Sequence, residues 1–133
     1  MRRSSLRSRT NLRLSGKLVK AFFTAASRTP GIEVAPSAWT RFPAFFLEGR
    51  EIAHFHSARE LDIRLTRSLI SQGKPTLRLN PNVEFRPHRS DWISYRLLSM
   101  ADIQPALGLF HIAVEANQHE IRLRGTSVTA QGQ

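Results

Sequence analysis

Cysteine is absent from the 133 residues. That one absence excludes a disulfide framework, a thiolate zinc site and a cysteine nucleophile. Long apolar runs are missing too, and no stretch approaches the ~20 residues with which a helix crosses a bilayer. A secretory signal needs roughly 7–15 uninterrupted apolar residues after its cations, whereas Lys20 leaves only Ala21 to Ala26. The chain contains no glycine-rich phosphate loop, no Gly-x-Ser-x-Gly elbow and no adjacent pair of acids. Aromatic residues are few, at 8%, and Trp39, Phe45, Phe46 and Trp92 are not interleaved with cations as in platforms for single-stranded nucleic acid. Acidic residues are scarce as well: 10 face 20 lysines and arginines, for a formal net charge of +10.

That charge is concentrated at one end. Residues 1–32 hold eight of the 20 cations and no acid, so residues 33–133 carry 12 cations against 10 acids. A basic, Arg/Ser-rich leader over 1–16 therefore precedes a near-neutral body, and its composition predicts disorder or, alternatively, an organelle transit sequence. Hydrophobic residues at 41% predict one globular domain. We place it at 17–119, followed by a fraying tail over 120–133.

Within the body, Leu18, Val19, Phe22, Phe23 and Ala26 recur at helical spacing, which predicts a helix over about 15–28. A short strand follows at Ile32–Val34. Ala44–Leu47 and Glu51–His56 flank Gly49 and predict a hairpin. Leu61–Leu65 alternates strictly, and Thr66 can cap a short helix through Ile70 that ends at Gly73-Lys74-Pro75. The stretch 75–87, with three prolines, reads as loop with at most an edge strand. Asp91–Leu97 alternates again, and Ile103, Ala106, Leu107, Phe110, Ala113, Val114 and Asn117 predict a helix over 102–117. The expected fold is α+β: a single domain with an antiparallel sheet of about four to five strands, packed by an N-terminal and a C-terminal helix.

The informative motif is His54-Phe55-His56. Residues two apart on a strand share a face, so both imidazoles project together. Pairing with the next strands brings Asp62 and Arg64, then Trp92, Ser94 and Arg96, to that face, with His88 at its rim. Such a set offers a base near neutral pH, an orienting carboxylate and guanidinium groups for an anionic oxygen. It is also compatible with a metal held by two imidazoles and a carboxylate, or with a polar, solvated sheet face. His111 and His119, in and beyond the last helix, read as packed or solvated side chains.

The run Gly49-Arg50-Glu51-Ile52-Ala53-His54-Phe55-His56, then Leu61–Leu65, Arg86-Pro87-His88, Asp91–Arg96 and a closing helix, resembles the luciferase domain of fungal luciferases and of bacterial and fungal relatives. Gly31–Ser37 and Ala44–Leu47 are similar to the bacterial members, and the resemblance spans about Pro30 to Asn117. It implies an oxygen-dependent oxidation of an enolic organic substrate without metal or flavin. His54, His56 and His88 match the family's histidines. Asp62 and Arg64 depart from the fungal enzymes, which are longer and carry an amino-terminal membrane helix.

The resulting expectation is a small, cofactor-independent, cytoplasmic enzyme of oxidoreductase type acting on an enolic or acidic organic substrate. Its catalytic candidates are His54, His56, His88 and Asp62; its substrate-binding candidates are Arg64, Trp92, Ser94 and Arg96. No metal is assigned. The alternatives are a non-catalytic module for a small ligand or protein, and a basic-tail adaptor for nucleic acid or membrane. A concave site around the histidines favours catalysis, whereas histidines splayed onto open solvent remove its support.

Overall fold

Leucines and phenylalanines at helical spacing near the two ends of the chain give their apolar faces to one side of a six-stranded sheet. In a computed structural model of the protein, which describes residues 16–87 and 90–131 with side chains as far as 125, the order is α1 (Lys17–Ser27), β1 (Ile32–Pro36), β2 (Pro43–Leu47), β3 (Arg50–Ser57), β4 (Glu60–Arg64), α2 (Arg67–Leu77), β5 (Val83–Phe85), β6 (Trp92–Arg96), a 3-10 turn (Met100–Asp102) and α3 (Ile103–Gln131). The strands lie in the order β1-β2-β3-β4-β6-β5, each antiparallel to its neighbours. The α+β expectation holds, with six strands rather than four to five; β5 is the edge strand foreseen at most within the proline-rich stretch. Among the described residues no helix is long and apolar enough to cross a membrane.

Val19, Phe22 and Ala26 of α1 and Ile103, Ala106, Leu107, Phe110 and Ala113 of α3 are buried on the sheet. Phe22 sits at the centre. It meets Phe45, Phe55 and Phe110 edge-on, at centroid distances of 5.9, 5.8 and 5.7 Å. Each such contact adds about 1 kcal/mol to the burial of the rings. With both helices on this face, the other face of the sheet is free for polar groups.

Two local features position those groups. Glu48 and Gly49 both take positive φ, +48° and +82°, the two-residue hairpin turn that matches strand twist. Two residues later the register slips: Phe45 pairs with Ala53 but Phe46 with Glu51, leaving Ile52 as an extra residue in β3. A bulge of this kind re-aims side chains, here turning Glu51 onto the face of His54. A second slip, between Phe55 and Ser57 opposite β4, falls at His56.

The helices differ from expectation in length. α2 continues past Gly73 and through Pro75 to Leu77, because Leu69, Ile70 and Leu77 pack against the core and Arg78 N–H closes the last turn on Lys74 O at 2.9 Å. α3 begins near Asp102 as expected, with Pro105 in its first turn, but runs to Gln131. No proline follows to stop it, and Gly125 is tolerated in a helix. The leader assigned to 1–16 lies outside the described residues except for Gly16.

Thr66, before α2, has φ +83° and ψ 144°, a region that glycine favours, while its Oγ1 accepts from Leu69 N–H at 3.3 Å. Thr66→Gly relieves the backbone and loses the cap, so its expected net change in stability is within about 1 kcal/mol. Thr66→Ala keeps the strain and loses the cap, and is expected to cost about 1 kcal/mol. Urea denaturation of the two variants checks the ordering, and alanine more stable than glycine would contradict it.

Candidate functional site

His54 is the hub of the free face. Its Nδ1 lies 2.8 Å from Glu51 Oε2 and its Nε2 lies 3.0 Å from Asp62 Oδ2. His54 is 6% exposed, Glu51 6% and Asp62 1%, so the exchange of hydrogen bonds takes place away from bulk water. Both ring nitrogens are thus held between carboxylates. Glu51 also accepts from Ser37 Oγ at 2.7 Å and from Ala38 N–H at 2.9 Å. Ser37 Oγ in turn accepts from the Trp39 and Thr40 N–H groups, at 3.0 and 3.2 Å. The carboxylate of Glu51 therefore holds both the buried histidine and the β1–β2 loop.

Asp62 binds on its other sides to Ser94 Oγ, which donates to Oδ1 at 2.7 Å, and to the Arg86 guanidinium, 2.6 Å from Oδ2. Burial pulls its carboxyl up, but the hydrogen bonds from His54 and Ser94 and the charge and hydrogen bond of Arg86 outweigh that and hold it below the usual aspartate value. Asp62 is thus the fixed anion of the face. His56 Nδ1 is 3.8 Å from the same Oδ2 and its side chain is 57% exposed. The two histidines share one carboxylate but differ in freedom. The ring nitrogens of His54 are both taken, whereas His56 opens to solvent.

Two indoles complete the site. Trp92 lies 5.0 Å from the His54 ring and Trp39 5.8 Å from it, centroid to centroid, and the two indoles meet edge-on at 5.5 Å. Together with Thr40, His56, Asp62, Arg86, Pro87 and Ser90 they line an open cleft of about 470 Å³ with His54 in its wall. The cleft falls in the size range of small-molecule sites. It combines an apolar aromatic wall, an accessible imidazole and a guanidinium. A larger cleft, lined by Arg64, Arg67, Ser68, Ser71, Asp91, Glu120, Leu123 and Arg124, holds none of these histidines.

Of the residues expected at the site, the structure brings together His54, His56, Asp62, Ser94 and Trp92. It sets two apart. Arg64 reaches 3.3 Å to Asp91 and lines the larger cleft, and Arg96 pairs with Glu84 at 2.9 Å on the exposed β5–β6 edge. His88 lies outside the described residues. Sequence reasoning did not single out Glu51, Ser37, Trp39 or Arg86. Glu51 sits inside the distinctive Arg-Glu-Ile-Ala-His run, but only the bulge at Ile52 puts it beside His54. Among the described residues no group of three or more histidine, aspartate or glutamate side chains is arranged to hold a metal ion.

A family model described as Luciferase domain matches residues 49–113. The match contains Glu51, both strand histidines, Asp62, Arg86, Trp92 and Ser94, and stops short of Ser37 and Trp39 upstream. No curated protein and no solved structure matches the chain. Over residues 49–113 this protein therefore carries the signature of the luciferase domain.

Proposed function

We propose that the cleft beside His54 binds a planar, enolic or acidic organic molecule and that His56 takes a proton from it. The observation that carries this reading is the pairing of an exposed imidazole with a buried, ionised Asp62 in a cleft walled by Trp39 and Trp92. The indoles offer flat faces to a conjugated ring. Arg86, 40% exposed while bound to Asp62, presents the rest of its guanidinium to the oxygen that becomes negative. Glu51, His54 and Asp62 form the frame that holds the reacting groups in place.

In this reading the enol O–H gives its proton to the free Nε2 of His56, and the electron pair left behind delocalises onto the adjacent carbon. That carbon supplies the electrons for addition to molecular oxygen, the reaction class that the likeness to the luciferase domain suggests. The bond formed is C–O, and protonation of the distal oxygen gives a hydroperoxide. Binding is testable apart from turnover. Trp92→Ala is expected to weaken a flat hydroxypyrone by about tenfold, on the scale of one aromatic stacking contact, as read from quenching of the remaining Trp39 fluorescence. Unchanged affinity would place the ligand elsewhere.

A further inference from the structure

We infer that the second cleft, between the end of β4, the start of α2 and the middle of α3, is a binding site for the phosphate monoester group of a small organic molecule. The cleft measures about 840 Å³ and shares no lining residue with the His54 cleft. The segment 90–92 separates the two, with Asp91 lining one side and Ser90 and Trp92 the other.

Its arginines come from separate elements: Arg64 from β4, Arg67 from α2 and Arg124 from α3, with Arg50 of β3 joined to the lining through Glu120. Both acids in the lining are already engaged. Asp91 pairs with Arg64 Nη2 at 3.3 Å and accepts Arg67 N–H at 2.8 Å, while Glu120 pairs with Arg50 at 2.8 Å. Arg50 is further fixed by Asn117 Oδ1 at 3.0 Å. Among the described residues, Arg64 Nε is a buried polar atom with no hydrogen-bond partner. Leaving such a donor unpaired costs about 1–3 kcal/mol.

Burial, then the like charges of Arg50 and Arg124, push the Arg64 guanidinium below its ordinary value against the opposing pull of Asp91 and Glu120. With Arg50, four guanidinium groups meet two carboxylates, so positive charge exceeds what the cleft's own acids neutralise. Ser68 and Ser71 add hydroxyls at the first turns of α2, and Ser68 Oγ, which accepts from Gln72 at 3.3 Å, keeps its own proton to donate. Guanidinium forks with hydroxyl donors suit a tetrahedral oxyanion with several acceptor oxygens. The concavity suits a small molecule rather than an extended polyanion, which would need a basic stripe.

The experiment is calorimetric titration of the full chain at low ionic strength with inorganic phosphate, phenyl phosphate and acetate. Binding of both phosphates, with acetate at least about tenfold weaker, is expected, because each lost guanidinium–oxygen pairing is worth about that factor. The exposed pair Arg67→Gln/Arg124→Gln should lower phosphate affinity at least about tenfold with an unchanged melting curve in phosphate-free buffer, while Arg59→Gln, outside the cleft, should leave affinity as it was. Phenyl phosphate binding more tightly than phosphate supports a monoester over the free ion. No phosphate binding, equal binding of acetate, or full affinity in the double variant would overturn the assignment.

Discussion

Asp62→Asn is expected to destabilise the protein by about 3–5 kcal/mol, the cost of breaking a buried charged network by removing one partner. The amide keeps the shape of the carboxylate but replaces an acceptor with a donor. It must then face His54, Arg86 and the Ser94 hydroxyl, all of which donate to Asp62 at 2.6–3.0 Å. Ser94→Ala removes only one neutral hydrogen bond and is expected to cost about 1 kcal/mol. The acid limb distinguishes a charge effect from a packing effect. The Asp62 carboxyl is held low in the folded state, so its contribution is complete above the unfolded value, about 3.9, and is lost as pH falls through the lower folded value. Urea midpoints of the wild type should therefore fall toward those of Asp62→Asn as the pH is lowered through that window. Parallel curves for the two proteins at every pH would contradict the assignment of Asp62 as the fixed anion.

His56→Gln is expected to leave stability nearly unchanged and to slow proton abstraction by about 10²–10⁴-fold, the usual contribution of a positioned base. His56 is more than half exposed and its ion-pair contact to Asp62 is long, at 3.8 Å, so little folding energy rests on it. The neighbouring histidine should behave in the opposite way. His54→Gln leaves Glu51 and Asp62 facing each other across one amide and loosens Ser37 and the Trp39 loop, so its first effect is a lower melting temperature. In the proposed function two histidines two residues apart thus have separable roles, one in structure and one in chemistry. Melting curves of the two single variants, beside their rates of proton exchange on a bound enol, show whether the roles separate.

Much of the architecture was legible from periodicity. Val19, Phe22 and Ala26 in α1, the Phe110 side of α3, the turn at Gly49 and the alternation of Leu61–Leu65 each state a face, and burying those faces together leaves few arrangements. The free face was legible as well: strand pairing alone brings His54 opposite Asp62 and Asp62 opposite Ser94. What the sequence hid are irregularities. The bulge at Ile52 has no marker such as glycine, so Glu51 reads as lying on the opposite face from His54. Arg86 and Trp39 reach the cleft from loops, where no period indicates direction. Arg64 obeys its alternation, yet the Asp91 carboxylate draws it into the other cleft.

The central claim is that the His56 face removes a proton from an enol. Its most direct test is the absorbance of an enolisable β-diketone, largely protonated at neutral pH in water, on addition of the protein. Wild-type protein should produce the red-shifted enolate band at saturation, and His56→Gln should bind the same ligand, by quenching of Trp39 and Trp92 fluorescence, without producing it. An equal enolate band in both proteins, or a ligand bound by both with its proton retained, would contradict the account, and the second result would identify the cleft as a binding site without proton transfer.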